Sequence, residues 1–237
     1  NHERLVHPAI MIKGVGTTSG STGIGLSFAF DQSHLINSET LTRFFRSWFG
    51  INLGDNGLKI WGCPLKGIKV KLHAYLSNLL RGIKTLDPWD FTEDNLQKNW
   101  NQLVKYNPKY IYGYATSITA LAKWIAKFGL QNSAKEIGLK AIISTAETLL
   151  MSDKQKIKDI FNCPVVEEYG AAEVSIIAHE CPEGNLHIAN DSLFLECVDD
   201  HGKDVNPGQP GHILVTSFVN LVTDILYGVV DPRVIYS

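Results

Sequence analysis

One short stretch near the start of this 237-residue sequence has the residue types and spacing of an anion-binding loop. Residues 14–30 read GVGTTSGSTGIGLSFAF, with hydroxyl side chains placed between glycines. Glycine allows a backbone to close on a ligand, and successive amide groups can then bind an anion. At least three classes of nucleotide-binding protein use loops of this kind, so the rest of the chain must distinguish them.

Two of these classes fit the loop incompletely. The P-loop of nucleoside triphosphatases ends in Gly-Lys-[ST], and the loop here has no Gly-Lys pair to grip the phosphates. Residues 18–27, TSGSTGIGLS, come close to the glycine signature of short-chain dehydrogenases, with Ser19 in place of the first glycine. That chemistry also needs a Tyr-x-x-x-Lys pair, which the sequence lacks. An NAD(P)-dependent oxidoreductase remains an alternative.

The third class fits at every position. Residues 18–23, TSGSTG, resemble the phosphate loop T-[ST]-G-[ST]-T-G of the adenylate-forming superfamily. Residues 167–173, EEYGAAE, resemble its Y-G-x-[ST]-E motif, with Ala172 where a hydroxyl residue is more common. The two segments occur in the order that the superfamily shows.

Further segments resemble one branch of this superfamily, the phenylacetate–CoA ligases and their CapK-like relatives. The segments are PKYIYGYATSITALAKWI (108–125), IISTAETL (142–149), AHECPEGNLHI (178–188) and GQPGHILVTSFVN (208–220). The resemblance implies formation of an acyl-adenylate from a carboxylic acid and ATP, followed by transfer of the acyl group to CoA. A role in capsular polysaccharide biosynthesis is the context that the CapK-like relatives suggest.

The resemblance also implies roles for individual residues. Tyr169 is expected to stack on adenine and Glu173 to bind Mg²⁺ between the phosphates, with Glu173 and Thr22 as the catalytic residues. The expected nucleotide contacts are Thr18, Ser19, Gly20, Ser21, Thr22, Gly23, Ala146, Glu147, Glu168, Tyr169 and Gly170. The expected acyl pocket is formed by Tyr112, Tyr114, Ser144 and Ala146.

The end of the chain departs from the pattern of the superfamily. A P-x-[IL]-R-Y-x-x-G-D segment is expected after Asn220, but the sequence continues LVTDILYGVVDPRVIYS, with Asp231 as a rough positional match. The mobile C-terminal domain of the superfamily is also absent, so we expect a fragment of a longer chain. A catalytically incomplete nucleotide-binding relic is therefore a further alternative.

A possible zinc site is a separate hypothesis. His179, Cys181, His187 and Cys197 fall close together on short predicted strands, and imidazole and thiolate are zinc ligands. Their spacing matches no common zinc motif, and buried cysteine or histidine is more often part of a core.

The elements that must position these residues follow an α/β pattern. Predicted helices at 38–49, 94–108, 115–129 and 152–162 alternate with predicted strands at 58–62, 109–114, 139–145 and 163–170. Short strands then follow, separated by turns such as NPGQPG. We therefore predict mainly parallel sheets flanked by helices over residues 1–180 and a small β-rich piece over 181–237.

Composition narrows the function classes. A net charge of −2 gives no basic field for nucleic acid, and no apolar run approaches the length of a membrane span. Four scattered cysteines suit a reducing compartment, so the cytoplasm is the expected location. The expected partners are ATP, CoA and a small carboxylic acid, and a homodimer is a further expectation.

Overall fold

A computed structural model describes residues 12–17, 27–62, 78, 80–88 and 90–217. The chain divides into two compact units. The larger unit consists of Arg43–Tyr169 and His179–His187, and the other consists of Asn1–Thr42, Gly170–Ala178 and Ile188–Ser237. These units do not follow the predicted boundary at residue 180, and that division into domains stays a prediction.

The described chain contains helices and strands in an alternating order. The helices are α1 Gln32–Ser47, α2 Glu93–Tyr106, α3 Ala115–Lys127, α4 Gln131–Glu136 and α5 Met151–Phe161. The strands are β1 Gly14–Thr17, β2 Ser27–Phe30, β3 Gly57–Ile60, β4 Ile83–Leu86, β5 Tyr110–Tyr114, β6 Ala141–Thr145, β7 Val165–Ala171, β8 Ser175–Glu180, β9 Leu186–Ile188, β10 Leu193–Val198 and β11 His212–Ser217.

The main sheet has the strand order β4-β3-β5-β6-β7-β8-β9. The pairs β3–β4, β3–β5, β5–β6 and β6–β7 are all parallel. This arrangement confirms the predicted α/β fold with mainly parallel strands flanked by helices. Two antiparallel pairs, β1–β2 and β10–β11, lie outside this sheet.

The central strands β5 and β6 are mainly apolar on both faces, as a sheet covered on both sides requires. Ile111 and Ile142 belong to the larger core cluster, which also contains residues of α2, α3 and α5. The alternate residues Tyr110 and Ile143 belong to a second cluster with Ile51. Neighbouring residues along each strand therefore enter different cores, because successive side chains point to opposite faces.

The predicted apolar face of α3 is confirmed. Ile118, Leu121, Ala122 and Ile125 are all buried in the larger cluster. Their spacing of three and four residues places them on one side of the helix. The strongest periodic pattern in the sequence thus gave the right element and the right buried face.

Two predicted helix starts are wrong. The helix expected at 38–49 begins at Gln32, and its first turn is capped by Asp31, whose carboxylate accepts a hydrogen bond from the His34 amide at 2.8 Å. Ser38 lies inside that helix and its hydroxyl contacts Ser175 Oγ at 2.6 Å. The helix expected from Ser152 begins one residue earlier and has no side-chain cap at its start. A serine that precedes apolar residues resembles a cap in sequence whether or not its backbone leaves the helix there.

Four short elements were not predicted. Strands β1, β2 and β4 have four residues each, and helix α4 has six. Periodicity needs a longer window than any of these elements supplies. Strand β4 lies at one edge of the sheet, and its position determines where the strand order reverses.

Candidate functional site

The candidate site lies at the carboxyl ends of the parallel strands. The chain passes from β3 to β4 on one side and then returns to β5 on the other side of β3. A reversal of this kind opens a crevice at the strand ends, and ligands of open α/β sheets bind there. Trp61 directly follows β3, and Tyr114 ends β5. Their rings stack at this point with centroids 4.4 Å apart and planes 16° apart.

A buried carboxylate lies beside this aromatic pair. The Tyr112 hydroxyl donates a hydrogen bond to Glu168 Oε1 at 3.1 Å. The Thr145 hydroxyl donates to the backbone carbonyl of Glu168 at 2.9 Å. These two hydrogen bonds connect three adjacent strands, β5, β6 and β7, near their carboxyl ends. The bond between β5 and β7 joins two predicted site residues, Tyr112 and Glu168.

Two cations complete the cluster, and the sequence interpretation missed both. The Arg46 guanidinium lies 5.2 Å from the centre of the Tyr112 ring and 4.7 Å from that of Tyr110. The Lys59 ammonium lies 4.7 Å from the Trp61 ring centre and 5.4 Å from that of Tyr112. Positive charge near the face of an aromatic ring is attracted by the ring quadrupole. Residues 58–62 were predicted as a strand, but the register that places Lys59 opposite Tyr112 comes from long-range pairing.

Burial controls the ionisation of this cluster. Removal from water raises the pKa of Glu168, and the Arg46 charge and the Tyr112 hydrogen bond oppose that shift. The pKa of Tyr112 is raised by burial first and by the Glu168 charge second. The phenol therefore stays protonated and acts as the donor toward Glu168.

The predicted acyl pocket is only partly brought together. Tyr112 and Tyr114 share one face of β5 because they are two residues apart. Ser144 lies opposite Gly113 in the register, so its side chain is on the other face of the sheet. Ser144 is only 2% exposed, and its hydroxyl has no hydrogen-bond partner among the described residues. The structure thus separates Ser144 from the two tyrosines.

The turn after β6 carries two predicted nucleotide-binding residues. Ala146 is exposed and has a φ of 65°. This left-handed conformation costs an alanine about 1–2 kcal/mol. The Glu147 carboxylate accepts hydrogen bonds from the Thr116 amide at 2.9 Å and the Thr116 hydroxyl at 2.7 Å. The Glu147 side chain is therefore hydrogen-bonded to the first turn of α3.

The EEYGAAE segment forms the end of β7 and the turn that follows it. Tyr169 is 47% exposed, as a stacking platform must be. A Cβ atom placed on Gly170 would lie 2.5 Å from the Ser175 carbonyl oxygen, so only glycine fits there. Glu173 is half-buried in the turn, and no hydrogen bond or ion pair joins its carboxylate to another described residue. Its oxygens fit the role of cation ligand.

The predicted phosphate loop, Thr18, Ser19, Gly20, Ser21, Thr22 and Gly23, lies outside the described residues. The strands on either side of it are described, and they form the antiparallel pair β1–β2. This pairing runs from Gly14 opposite Phe30 to Thr17 opposite Ser27. The loop thus connects two antiparallel strands.

Comparisons with known proteins agree with this architecture. No protein-family model matches the chain. Protein CapK of Staphylococcus aureus is 28% identical over 218 residues, which cover 88% of this chain and 45% of CapK. A 2-hydroxyisobutyryl-CoA ligase in complex with 2-HIB-AMP and CoA superposes with a TM-score of 0.68 at 19% identity, over 87% of this chain and 44% of that chain. An anthranilate CoA ligase in complex with anthranoyl-AMP gives a TM-score of 0.63 at 17% identity, over 87% of this chain and 39% of that chain.

The chain has the fold of the adenylate-forming CoA ligases. The fold that the motif resemblance implied is thereby confirmed. The chain spans less than half the length of these relatives.

The strands on either side of the glycine-rich loop argue against the dehydrogenase alternative. A dinucleotide-binding glycine loop joins a strand of a parallel sheet to a helix, whose N-terminus holds the pyrophosphate. Here the loop of residues 18–26 lies between the antiparallel strands β1 and β2, and β2 precedes α1. TSGSTGIGLS therefore resembles the dehydrogenase signature in sequence only, because the secondary structure around the loop is different.

The predicted zinc site is wrong. Among residues 12–17, 27–62, 78, 80–88 and 90–217, no group of three or more His, Cys, Asp or Glu side chains is placed to hold a metal ion. The His179 ring is fully buried and stacks on Phe45 with centroids 5.1 Å apart. Cys181 and His187 lie in the same compact unit, whereas Cys197 belongs to the other. His179 is thus a core residue, as the alternative interpretation of buried histidine allowed.

A cavity of about 300 Å³ opens between the start of α3 and the turn before α5. Hydroxyl residues and apolar residues line it together; they include Thr116, Thr119, Thr148, Leu149 and Leu150. Two of its walls are therefore the segments that the Glu147 carboxylate joins.

No helix of the described residues is both long enough and apolar enough to span a membrane.

Proposed function

We propose that this chain carries the nucleotide-binding core of an enzyme that activates a carboxylic acid with ATP and transfers the acyl group to CoA. In the first step a carboxylate oxygen attacks the α-phosphorus of ATP, and the bond to pyrophosphate breaks to give acyl-AMP. In the second step the CoA sulfur attacks the acyl carbonyl and AMP leaves. The protein contributes mainly by positioning the reactants and stabilising charge.

One observation carries the proposal: the exposed ring of Tyr169 stands at the carboxyl edge of a parallel sheet whose order reverses between β3 and β5. An exposed aromatic ring at such an edge can stack on a nucleobase, and this edge is where α/β sheets bind ligands. The solved structures that share the fold include complexes with acyl-AMP and CoA. Together these facts favour an acyl-adenylate over other nucleotide ligands.

The remaining roles follow from the motifs. Residues 18–23 would bind the β- and γ-phosphates, and Thr22 would contribute a hydroxyl group to the catalytic machinery. Glu173 would hold Mg²⁺, which neutralises phosphate charge when bound. Ala146 and Gly170 would contribute backbone contacts to the nucleotide.

The acyl pocket would be walled by Tyr112 and Tyr114, with Trp61 added because it stacks on both rings. Flat aromatic walls favour a flat acyl group. A phenylacetate–CoA-ligase-like reaction in capsular polysaccharide biosynthesis is the finer proposal, and its support is the sequence similarity to CapK.

Calorimetric titration with ATP, with and without Mg²⁺, tests the nucleotide site, with NADPH as the control ligand. We expect ATP binding that depends on Mg²⁺ and is lost in Glu173→Gln. Glu183→Gln is the matched control, because Glu183 is an exposed carboxylate in the turn between β8 and β9. Absence of ATP binding contradicts the proposal, whereas ATP binding without turnover supports the catalytically incomplete alternative.

A further inference from the structure

The backbone after β6 is held in a conformation that its own sequence does not favour. Four described residues other than glycine have a positive φ: Asn107, Ala146, Asn162 and Ser175. Asn107 and Asn162 end helices α2 and α5, a common place for left-handed asparagine. Ala146 ends no helix and has no polar side chain to support this conformation. Its surroundings must therefore impose it.

The neighbouring Glu147 makes the contact that can impose it. Its carboxylate binds both the amide and the hydroxyl of Thr116, 31 positions away in the sequence. Helix α3 needs such a partner, because its N-cap Tyr114 makes no side-chain bond and its first turn has no acidic residue. A carboxylate at this end of a helix also interacts favourably with the helix dipole.

The strained turn lies where the proposed function needs a fixed backbone. Ala146 directly follows β6, at the carboxyl edge that carries Thr145 and, on the next strand, Glu168. It is exposed, so its backbone is accessible to a ligand. Strained backbone that the surrounding structure enforces is concentrated at ligand-binding sites, where it pre-organises the contact.

We propose that Glu147 is a positioning residue for the nucleotide. By binding the first turn of α3, its carboxylate fixes the left-handed turn at Ala146 and presents the backbone of residues 145–147 to the nucleotide. The carboxylate itself does not contact the ligand. This inference rests on the proposed nucleotide site.

A purely structural role makes a different prediction. If Glu147 only caps α3, its removal lowers stability and leaves nucleotide affinity unchanged. If it positions the turn, affinity depends on the conformation of Ala146 as well. Ala146→Gly separates the two roles, because glycine removes the strain of a positive φ and also frees the turn to adopt other conformations.

The experiment measures the Kd for ATP with Mg²⁺ by calorimetry and the Tm by thermal unfolding, on the full chain. We expect Glu147→Ala to raise the Kd about tenfold and to lower the Tm, since misplacement of a binding element is costly. Glu147→Gln keeps an acceptor oxygen and should raise the Kd less. Ala146→Gly should raise the Kd about threefold while the Tm stays constant or rises, since the freed turn must be ordered on binding.

Thr92→Ala is the matched control, because Thr92 caps α2 by accepting a hydrogen bond from the Asn95 amide. It should lower the Tm and leave the Kd unchanged. The inference is overturned if the Glu147 variants lower the Tm but keep the Kd within twofold of the wild type, or if Ala146→Gly keeps the Kd within twofold. If the wild-type chain binds no ATP, the proposed function itself fails. If Glu147→Ala does not fold, Glu147→Gln and Ala146→Gly together decide between the two roles.

Discussion

Glu168 and His179 are both buried titratable residues that lie near aromatic rings in the same compact unit. The sequence suggested a ligand for each: a nucleotide for Glu168 and zinc for His179. Glu168 faces a phenol donor and two cations at the carboxyl edge of the sheet, one residue before the exposed Tyr169. His179 is enclosed by the rings of Phe45, Trp48 and Phe49.

The hydrogen bonds show the same contrast. Glu168 accepts hydrogen bonds from side chains of two other strands: Tyr112 donates to its carboxylate and Thr145 donates to its backbone carbonyl. His179 uses Nδ1 for the carbonyl of the next residue, Glu180, and its Nε2 is buried without a partner among the described residues. His179 thus makes one local backbone contact and no side-chain hydrogen bond to another described strand. The comparison indicates that a titratable residue at the carboxyl edge of the sheet is reached by donors of other strands, whereas one enclosed by aromatic rings is not.

The largest effect should come from breaking the aromatic enclosure of His179. Phe45 is 2% exposed, and Phe45→Ala should lower the free energy of unfolding by about 3–5 kcal/mol, as for other buried phenylalanines. The neighbouring Phe44 is 53% exposed, so Phe44→Ala should cost less than about 1 kcal/mol. Urea unfolding measures both values. Equal losses for the two variants would show that His179 is not in a packed core.

A smaller effect should come from removing one hydrogen bond of the Glu168 cluster. Tyr112→Phe leaves a buried carboxylate without its donor and should cost about 2 kcal/mol, the range for hydrogen bonds to charged groups. Tyr106→Phe is the matched control, because its hydroxyl donates to a neutral acceptor, the Gly82 carbonyl, at 2.8 Å. Its loss should cost about 1 kcal/mol. If urea unfolding gives Tyr112→Phe the smaller cost, the carboxylate is not charged in the folded protein.

The smallest effect should be seen in the pH dependence of the free energy of unfolding, to which Glu168 and His179 contribute with opposite signs. Burial raises the pKa of Glu168 above 4.5 and lowers the pKa of His179 below 6.5. The folded state therefore binds more protons at Glu168, whose contribution to stability is present below pH 4.5 and is lost as pH rises through its folded pKa. The folded state binds fewer protons at His179, whose contribution is present above pH 6.5 and is lost as pH falls through its folded pKa.

Unfolding free energies of the wild type, Glu168→Gln and His179→Phe from pH 7 to pH 5 test this difference. As pH falls, His179→Phe should gain stability relative to the wild type, and Glu168→Gln should lose it. Each slope is at most about 1.4 kcal/mol per pH unit. If the unfolding free energies of the two variants change with pH in the same way, burial does not shift the two pKa values in opposite directions.

Much of the fold could be predicted because it depends on local patterns. The apolar spacing of α3 identified both the helix and its buried face. The short elements β4 and α4 gave no comparable signal, and the helix starts at Ser38 and Ser152 were misplaced because cap residues also occur inside helices. The motifs and their order were enough to predict the fold.

The sequence by itself determined the fold class and the chemical types of the candidate site: a glycine-rich loop, Tyr169 and Glu173. Only the tertiary structure decided which residues meet. Strand register placed Lys59 opposite Tyr112 and Ser144 on the other face, and the reversal of strand order brought Trp61 onto Tyr114. A shift of one residue in register moves a side chain to the opposite face of a sheet, and register is fixed by pairing between distant segments.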